Sequence, residues 1–395
     1  METDFLLSDA AVTPEASSQP NQVDAFAVSV KRDVFLKALS HIQSVIERRN
    51  TIAILSNVKI EAIGSSVQLT ATDMDLTVVE SVPATVSKEG AITIQAHTLY
   101  DIVRKSEDES ISIASSAKQG QVNVLSGSSE FTLLTLPARE FPNIDTAGTS
   151  HHFSLPSSEF LQLLEKTSFA ASTEETRYYL NGVYLHAVQG DSPTLRTVAT
   201  DGHRLALAQV SLPVGAEQIP GVILPRKTVN ELRKIIQDSE KEVKISISQS
   251  KIVIHVGELV IISKLIDGTY PDYNRVIPKQ NDKILEVSTQ QFIQTVDRVS
   301  TVSSEKTRGI KANLQQGKML LSAAREDNHA GHEEISVSYA ATPLEIGFNG
   351  RYLLDALAHV EGDTVQFTIA DAGNPILIRD TSNVGVLFVI MPMRV

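Results

Sequence analysis

The chain has 395 residues, 42% hydrophobic and 21% charged, a balance that suits two to four globular domains and excludes a single small module. It contains no cysteine, which excludes a disulfide framework, a thiolate metal site and a cysteine nucleophile, and agrees with a cytoplasmic location. Net charge is −12, and the longest apolar runs, such as 386–391, fall far short of the roughly 18 to 20 residues of a membrane span.

Residues 1–25 read as a disordered acidic leader. Glu2, Asp4, Asp9, Glu15 and Asp24 stand there without any Lys or Arg, the reverse of a secretory signal, and little apolar surface offsets the entropy of ordering. Those five carboxylates leave −7 on the rest of the chain. An acidic total does not exclude nucleic acid, because field sign belongs to a surface and not to a sum.

After the leader, an alternating strand at Phe26–Val30 runs into an amphipathic helix over Asp33–Ile46. The same feature returns at Phe153–Leu155 before Ser157–Phe169, and at Leu285–Val287 before Thr289–Val302. Phe35, Phe160 and Phe292 head the three stripes, at spacings of 125 and 132. Next in each copy come a strand entered at Val58, Val183 or Ile310 and a second strand at 69–73, 197–201 or 320–324. Ala71, Ala199 and Ala323 fall 128 and 124 apart. A further strand and helix close each copy: 92–94 before 98–104, 222–224 before 227–236, and 344–346 before 351–359.

Two helices among many short strands predict an α+β fold in three tandem domains at 26–149, 150–280 and 281–395, divided at the turn-rich segments 142–150 and 271–282. The period is too long for a solenoid. The helices run against the total charge: Lys31, Arg32, Lys37, Arg48 and Arg49 surround the first, and Arg226, Lys227, Arg233 and Lys234 the fourth. Arg104, Lys105, Arg177, Arg298 and Arg351 add to them. Acidic residues gather in loops and strand ends, as at Glu107-Asp108-Glu109 and Glu333-Glu334. Such cations suit sequence-independent contact with phosphates.

The most distinctive string is Ala199-Thr200-Asp201-Gly202-His203-Arg204-Leu205. Asp-Gly is a strong turn dipeptide, while Asp201 with His203 leaves open a hydrolase that uses them as acid and base. No HExxH, GxSxG or Walker loop accompanies them. His151-His152 reads as linker, since adjacent side chains on an extended chain point opposite ways. Tyr178-Tyr179 offers a packed tyrosine or a base-stacking one. At the C-terminus, 386–390 reads as a last strand, and the Met391-Pro392-Met393 that follows suits an adaptable pocket for several peptides.

Taken together these strings resemble the bacterial β sliding clamps, the processivity subunits of DNA polymerase III. The matching strings are Leu136-Pro137 with Phe141-Pro142-Asn143, Arg177 to Gly182, Ala199 to Leu205, Val222 to Lys227, Ser263 to Leu265 with Asp267-Gly268 and Tyr270 to Tyr273, and Met391 to Arg394. The resemblance implies a head-to-tail homodimeric ring of clamp domains, helices inside and sheets outside. Twelve helices about 10 Å apart enclose a bore of roughly 28 Å, enough for a sequence-independent hold on double-stranded DNA.

The resemblance also implies residue roles. Leu180, Thr200, Gly202, His203, Arg204, Leu205, Pro271, Arg275, Val276, Asn349, Tyr352, Val389, Ile390, Met391, Pro392, Met393 and Val395 would form a groove for linear partner peptides. Arg49, Arg177, Tyr178 and Tyr179 would contact DNA, and Phe131 and Leu133 would meet Thr301 and Val302 across the dimer interface. Expected partners are a clamp-loader ATPase, the replicative polymerase, translesion polymerases, mismatch-repair proteins and ligase, with no membrane, cofactor, metal or catalytic residue. The chain departs from the family at Asn50, Ala53 and Asn274, in the small Thr301-Val302 pair, and at Gly373-Asn374-Pro375.

Overall fold

The computed structural model describes residues 26–47, 50–144, 148–237, 242–304, 308–325 and 329–394. The leader, Arg49 and Val395 lie outside the described residues. Six α-helices occur among them: α1 (Arg32–Val45), α2 (Ala96–Lys105), α3 (Ser157–Ser168), α4 (Arg226–Gln237), α5 (Thr289–Ser300) and α6 (Gly350–Leu357). Each follows directly on a short strand, as the sequence predicts.

Apolar spacing decides the helices. Phe35, Ala38, Leu39, Ile42 and Val45 put one stripe of α1 into the core, and full burial of a Phe, Leu, Ile or Val side chain contributes about 1.5–3 kcal/mol. Asn349 caps α6 by accepting from the amides of Arg351 and Tyr352, and Ser288 caps α5. In the strands burial alternates with period two, so one face meets the helices.

Four antiparallel sheets form, and two of them cross domain boundaries. Leu259–Lys264 of the middle domain pairs with Leu76–Pro83 of the first, Val260 opposite Val79. Val386–Ile390 of the last domain pairs with Arg204–Ser211 of the middle one, Leu205 opposite Val389. The two joints have the same construction, because the repeats are joined in the same order.

The helices form one row in the order α2, α1, α4, α3, α6, α5. Packing joins α1 to α2, α3 to α4, α5 to α6, and α1 to α4 across the first joint. At the second joint the Lys166 ammonium donates to the His359 carbonyl, 2.6 Å away, and the rings of Phe169 and His359 stack at 4.6 Å.

Three expectations are corrected. His151 and His152 are not linker: they open the strand His151–Pro156, paired with Ile247 and Ser246, because the ladder has room for two more residues than the apolar pattern marks. Glu333 and Glu334 lie inside the strand Ala330–Ser336, where Arg298 and Lys318 neutralise them. The helices at 289 and 350 end at Ser300 and Leu357, short of Val302 and His359, where a tighter last turn takes over.

Candidate functional site

The turn between Thr194–Thr200 and Arg204–Ser211 is built by its own side chains. Asp201 Oδ1 accepts from the amides of His203 at 2.9 Å and Arg204 at 3.0 Å, and the Thr200 hydroxyl donates to the Arg204 carbonyl at 2.6 Å. Gly202 holds φ at 90°, and a Cβ there would come 2.7 Å from Arg177 Nη1. Asp201 Oδ2 accepts from Arg204 Nε, so this carboxylate is consumed by the turn. His203 is exposed and its ring lies over that of Tyr352, centroids 6.3 Å apart. A hydrolase built on Asp201 and His203 therefore has no support: the carboxylate neither orients the imidazole nor stands free as a base.

Arg204 joins the two domains. Its guanidinium pairs with Asp201 and Asp355, donates to the Phe169 carbonyl at 3.0 Å, and lies 4.5 Å from the Tyr352 ring centroid. Asn349 fixes the start of α6 and hence Tyr352 beside it.

Beyond the turn the last strand runs alongside, and its tail is held by two further hydrogen bonds: Met391 N–H to the His203 carbonyl and Met393 N–H to the Gly347 carbonyl, each 2.9 Å. Alternation sorts the side chains. Val389 joins Leu180 and Leu205 in an apolar cluster with Val198, Leu207, Ile223, Tyr270, Tyr273 and Leu377, separate from the helix-side core. Ile390 points the other way, wholly buried in that core, and its side chain is closed to any ligand. This corrects its place among the groove residues. Met391 and Val276 stand exposed at the edge of the cluster, at 42% and 48%. Pro271 and Arg275 are exposed beside it, the latter tied to Asp272. Pro392 and Met393 are half-buried.

Val198, Leu207, Ile223, Tyr270, Tyr273 and Leu377, which complete this cluster, were not among the residues that the sequence singled out for the groove. Val198 and Leu207 lie on strands buried on both faces near their middle, so no alternation marks the face that meets this cluster.

Arg177 is clamped by Glu174 at 2.7 Å, Tyr179 packs against the same apolar cluster, and Tyr178 is 55% exposed with its ring edge-on to Tyr179. These three residues lie beside that cluster, Arg177 against Gly202. Elsewhere, Phe131 is 38% exposed and Leu133 half-buried on the free strand Ser129–Leu134, while Thr301 and Val302 follow α5 at the far end of the molecule's helix row. Within the chain the two pairs do not meet.

The helices carry 11 Lys and Arg against 7 Asp and Glu, net +4 in a chain of −12. Arg32, Arg104, Lys166, Lys227, Arg233, Lys234, Arg298 and Arg351 are nevertheless in ion pairs. Among the described residues no group of His, Asp and Glu could hold a metal, and no helix is long and apolar enough to cross a membrane.

Family models of the DNA polymerase III beta subunit match in order along most of the chain: the N-terminal domain at 26–145, the central domain at 154–272 and the C-terminal domain at 274–394. The chain belongs to the DNA polymerase III beta subunit family. The beta sliding clamp of Caulobacter vibrioides is 44% identical over 370 residues, covering 93% of this chain and 100% of that protein, and the Escherichia coli clamp is 35% identical over 93% and 99%. The crystal structure of the Bartonella birtlesii sliding clamp bound to griselimycin is similar with TM-score 0.91 and 45% identity, covering 94% of this chain and 100% of that one. Family and fold thus agree: three tandem α+β clamp domains.

Proposed function

We propose that this chain is a sliding clamp: two copies joined head to tail surround duplex DNA and tether the replicative polymerase to it, without catalysing any reaction. The observation that carries this reading is the open row of helices. It ends in α2 and α5, and the sheets end in Ser129–Leu134 and Ala330–Ser336. The first of these strands is the counterpart of Leu259–Lys264 and Val386–Ile390, and the second of Leu76–Pro83 and Arg204–Ser211. A second copy supplies the missing half of a joint that the chain already makes twice.

Both free edges suit that joint. Phe131 at 38% and Leu134 at 76% exposure lie on one, and an unpaired apolar edge favours pairing with another chain. On the other, Val302 lies against Gly331, where a Cβ would come 3.0 Å from Val302 Cγ2. Phe131 and Leu133 of one copy are assigned to meet Thr301 and Val302 of the next.

Retention then comes from enclosure. Helix cations already in ion pairs attract phosphates weakly, which permits sliding, since each phosphate firmly neutralised would add to adhesion. Arg177, Tyr178 and Tyr179, with Arg49, are the proposed DNA contacts, Tyr178 by stacking. The cluster beside His203 and Met391 takes linear peptides of the polymerase and of repair proteins, and a separate ATPase opens the ring, all in the cytoplasm. The decisive experiment loads the protein on closed circular DNA with a clamp loader and then linearises the circle. Release on cutting is the expected result; a protein that stays bound equally to both forms is held by adhesion and is not a clamp.

A further inference from the structure

The joint between the first two domains repeats the groove. In the turn 72–76, Asp73 Oδ1 accepts from the amides of Asp75 at 2.9 Å and Leu76 at 2.7 Å, and the Thr72 hydroxyl donates to the Leu76 carbonyl at 3.2 Å. These bonds reproduce those of Asp201 and Thr200. The amide of Lys264 donates to the Asp75 carbonyl at 2.8 Å, as that of Met391 does to His203. Pro142 follows the buried Phe141 as Pro271 follows the buried Tyr270. At the position of Gly202 stands Met74, one of two non-glycine residues with positive φ among those described, at 80°.

Between these elements lies an open cavity of ≈ 560 Å³ lined by Met74, Ile144, Ile262, Leu265, Lys251 and Lys264. It shares Pro142, Asn143, Ile144 and Ile262 with a second of ≈ 700 Å³, whose ionisable lining residues are Lys59, Arg139 and His255. Met74, half exposed, forms part of an apolar wall where the other groove has bare backbone. Holding a methionine in a left-handed conformation strains the backbone, and such strain persists where the surroundings enforce it.

We propose that this joint is a second docking groove, and that its occupant is the chain's own acidic leader, seated through Phe5, Leu6 and Leu7. Charge favours it. The leader holds five carboxylates and no Lys or Arg, while Lys59, Arg139, Lys251 and Lys264 line the paired cavities with Asp75; Lys59 pairs with Glu61 and Lys264 with Asp75, and the lining stays net positive. At the other groove signs alternate, Glu174, Asp201, Asp272 and Asp355 matching Arg177, Arg204 and Arg275.

Reach allows it too. The leader joins the first domain at Phe26, and the segment from Leu7 spans up to about 60 Å when extended, against a domain diameter of about 35 Å. Tethering raises the effective concentration of the segment at the groove. The leader is an addition to the shared body: the Caulobacter relative is matched along its whole length by 93% of this chain, and the first family domain begins at residue 26.

The inference extends the groove reading by internal symmetry, and its test keeps the two apart. A fluorescein-labelled synthetic peptide of residues 1–24 is titrated by anisotropy into protein lacking residues 1–25, which retains the full length that the relative spans. Saturable binding is expected, weakening with salt and weakening about tenfold in Met74→Gly and in Lys264→Glu, with His203→Ala unchanged. Met74→Gly removes the backbone strain, so its Tm should equal or exceed that of the parent and lost binding cannot be ascribed to unfolding. In the full chain, amides of 262–265 should exchange more slowly than in the leader-deleted protein. No saturation at millimolar peptide overturns the proposal, as does loss of binding in His203→Ala with Met74→Gly unaffected. Equal exchange at 262–265 in both proteins removes the leader as occupant. Failure of a polymerase peptide to respond to His203→Ala would count against the other groove alone.

Discussion

The amide of Met391 donates to the carbonyl of His203 over 2.9 Å, so the end of the chain is sewn to a turn of the middle domain. The bond continues the ladder in which Arg204 faces Ile390. It holds the tail across the seam between two domains, with the apolar cluster of Leu180, Leu205 and Val389 beside it.

Removing residues 391–395 should therefore abolish peptide binding and polymerase stimulation while the ring still assembles, because the ladder 386–390 and both free edges remain. Sedimentation together with a primer-extension assay checks this. Full stimulation by the shortened protein would place the peptide site elsewhere.

Arg204 is the rivet of the second joint, its side chain 11% exposed and bonded to both domains. Arg204→Ala should cost about 2–3 kcal/mol in urea unfolding, since it leaves the Phe169 carbonyl without its donor and Asp355 with only Arg351, 4.0 Å away. Arg204→Lys should recover less than half, because an ammonium cannot bond Asp201, Asp355 and the carbonyl at once. Equal stability of Lys and Arg at this position would reduce the network to a simple charge.

At the same joint His359 stacks on Phe169, and burial, with Lys166 and Arg233 nearby, pushes its imidazole down to about 4. The folded value lies below the unfolded one, near 6.5, so the unfolded chain takes up the proton first. This contribution to stability should be complete above pH about 6.5 and fall away as pH drops toward 4. Asp355 opposes the shift without reversing it. In urea denaturation between those pH values, His359→Phe should flatten the slope; an unaltered slope would assign it to other groups.

On the free edge, Phe131→Asp sets a charge where an apolar contact with the second copy is expected. Sedimentation equilibrium should show a protein near the monomer mass of 42.9 kDa with unchanged circular dichroism and no loader-dependent retention on circular DNA. A dimer of normal strength would mean that the copies meet by another surface.

The threefold repeat was legible in sequence because each copy must bury the same stripes: Phe35, Phe160 and Phe292 head helices that all face a core. The groove was partly legible. Its turn declares itself in Asp201-Gly202 and its tail in Met391-Pro392-Met393. Its floor did not, because Val198, Leu207 and Leu377 are apolar residues on strands apolar on both faces, and nothing local distinguishes the face that meets helices from the face that meets solvent or a peptide. Ile390 was misplaced for the same reason.

Sequence by itself determined the period of the chain, the type of each domain, the places of the helices and the turn chemistry at Asp201-Gly202, since all of these follow from spacing and side-chain type within a few residues. Tertiary structure alone decided which strands join domains, that Arg204 rivets two of them, that the turn at 72–76 and the turn at 200–204 have the same bonds, and that the row of helices is left open. Those facts depend on antiparallel pairing between segments far apart in the chain. Such pairing is selected by which unpaired backbone edges and buried faces fit together once the repeats are stacked, and no local pattern of residues encodes that choice.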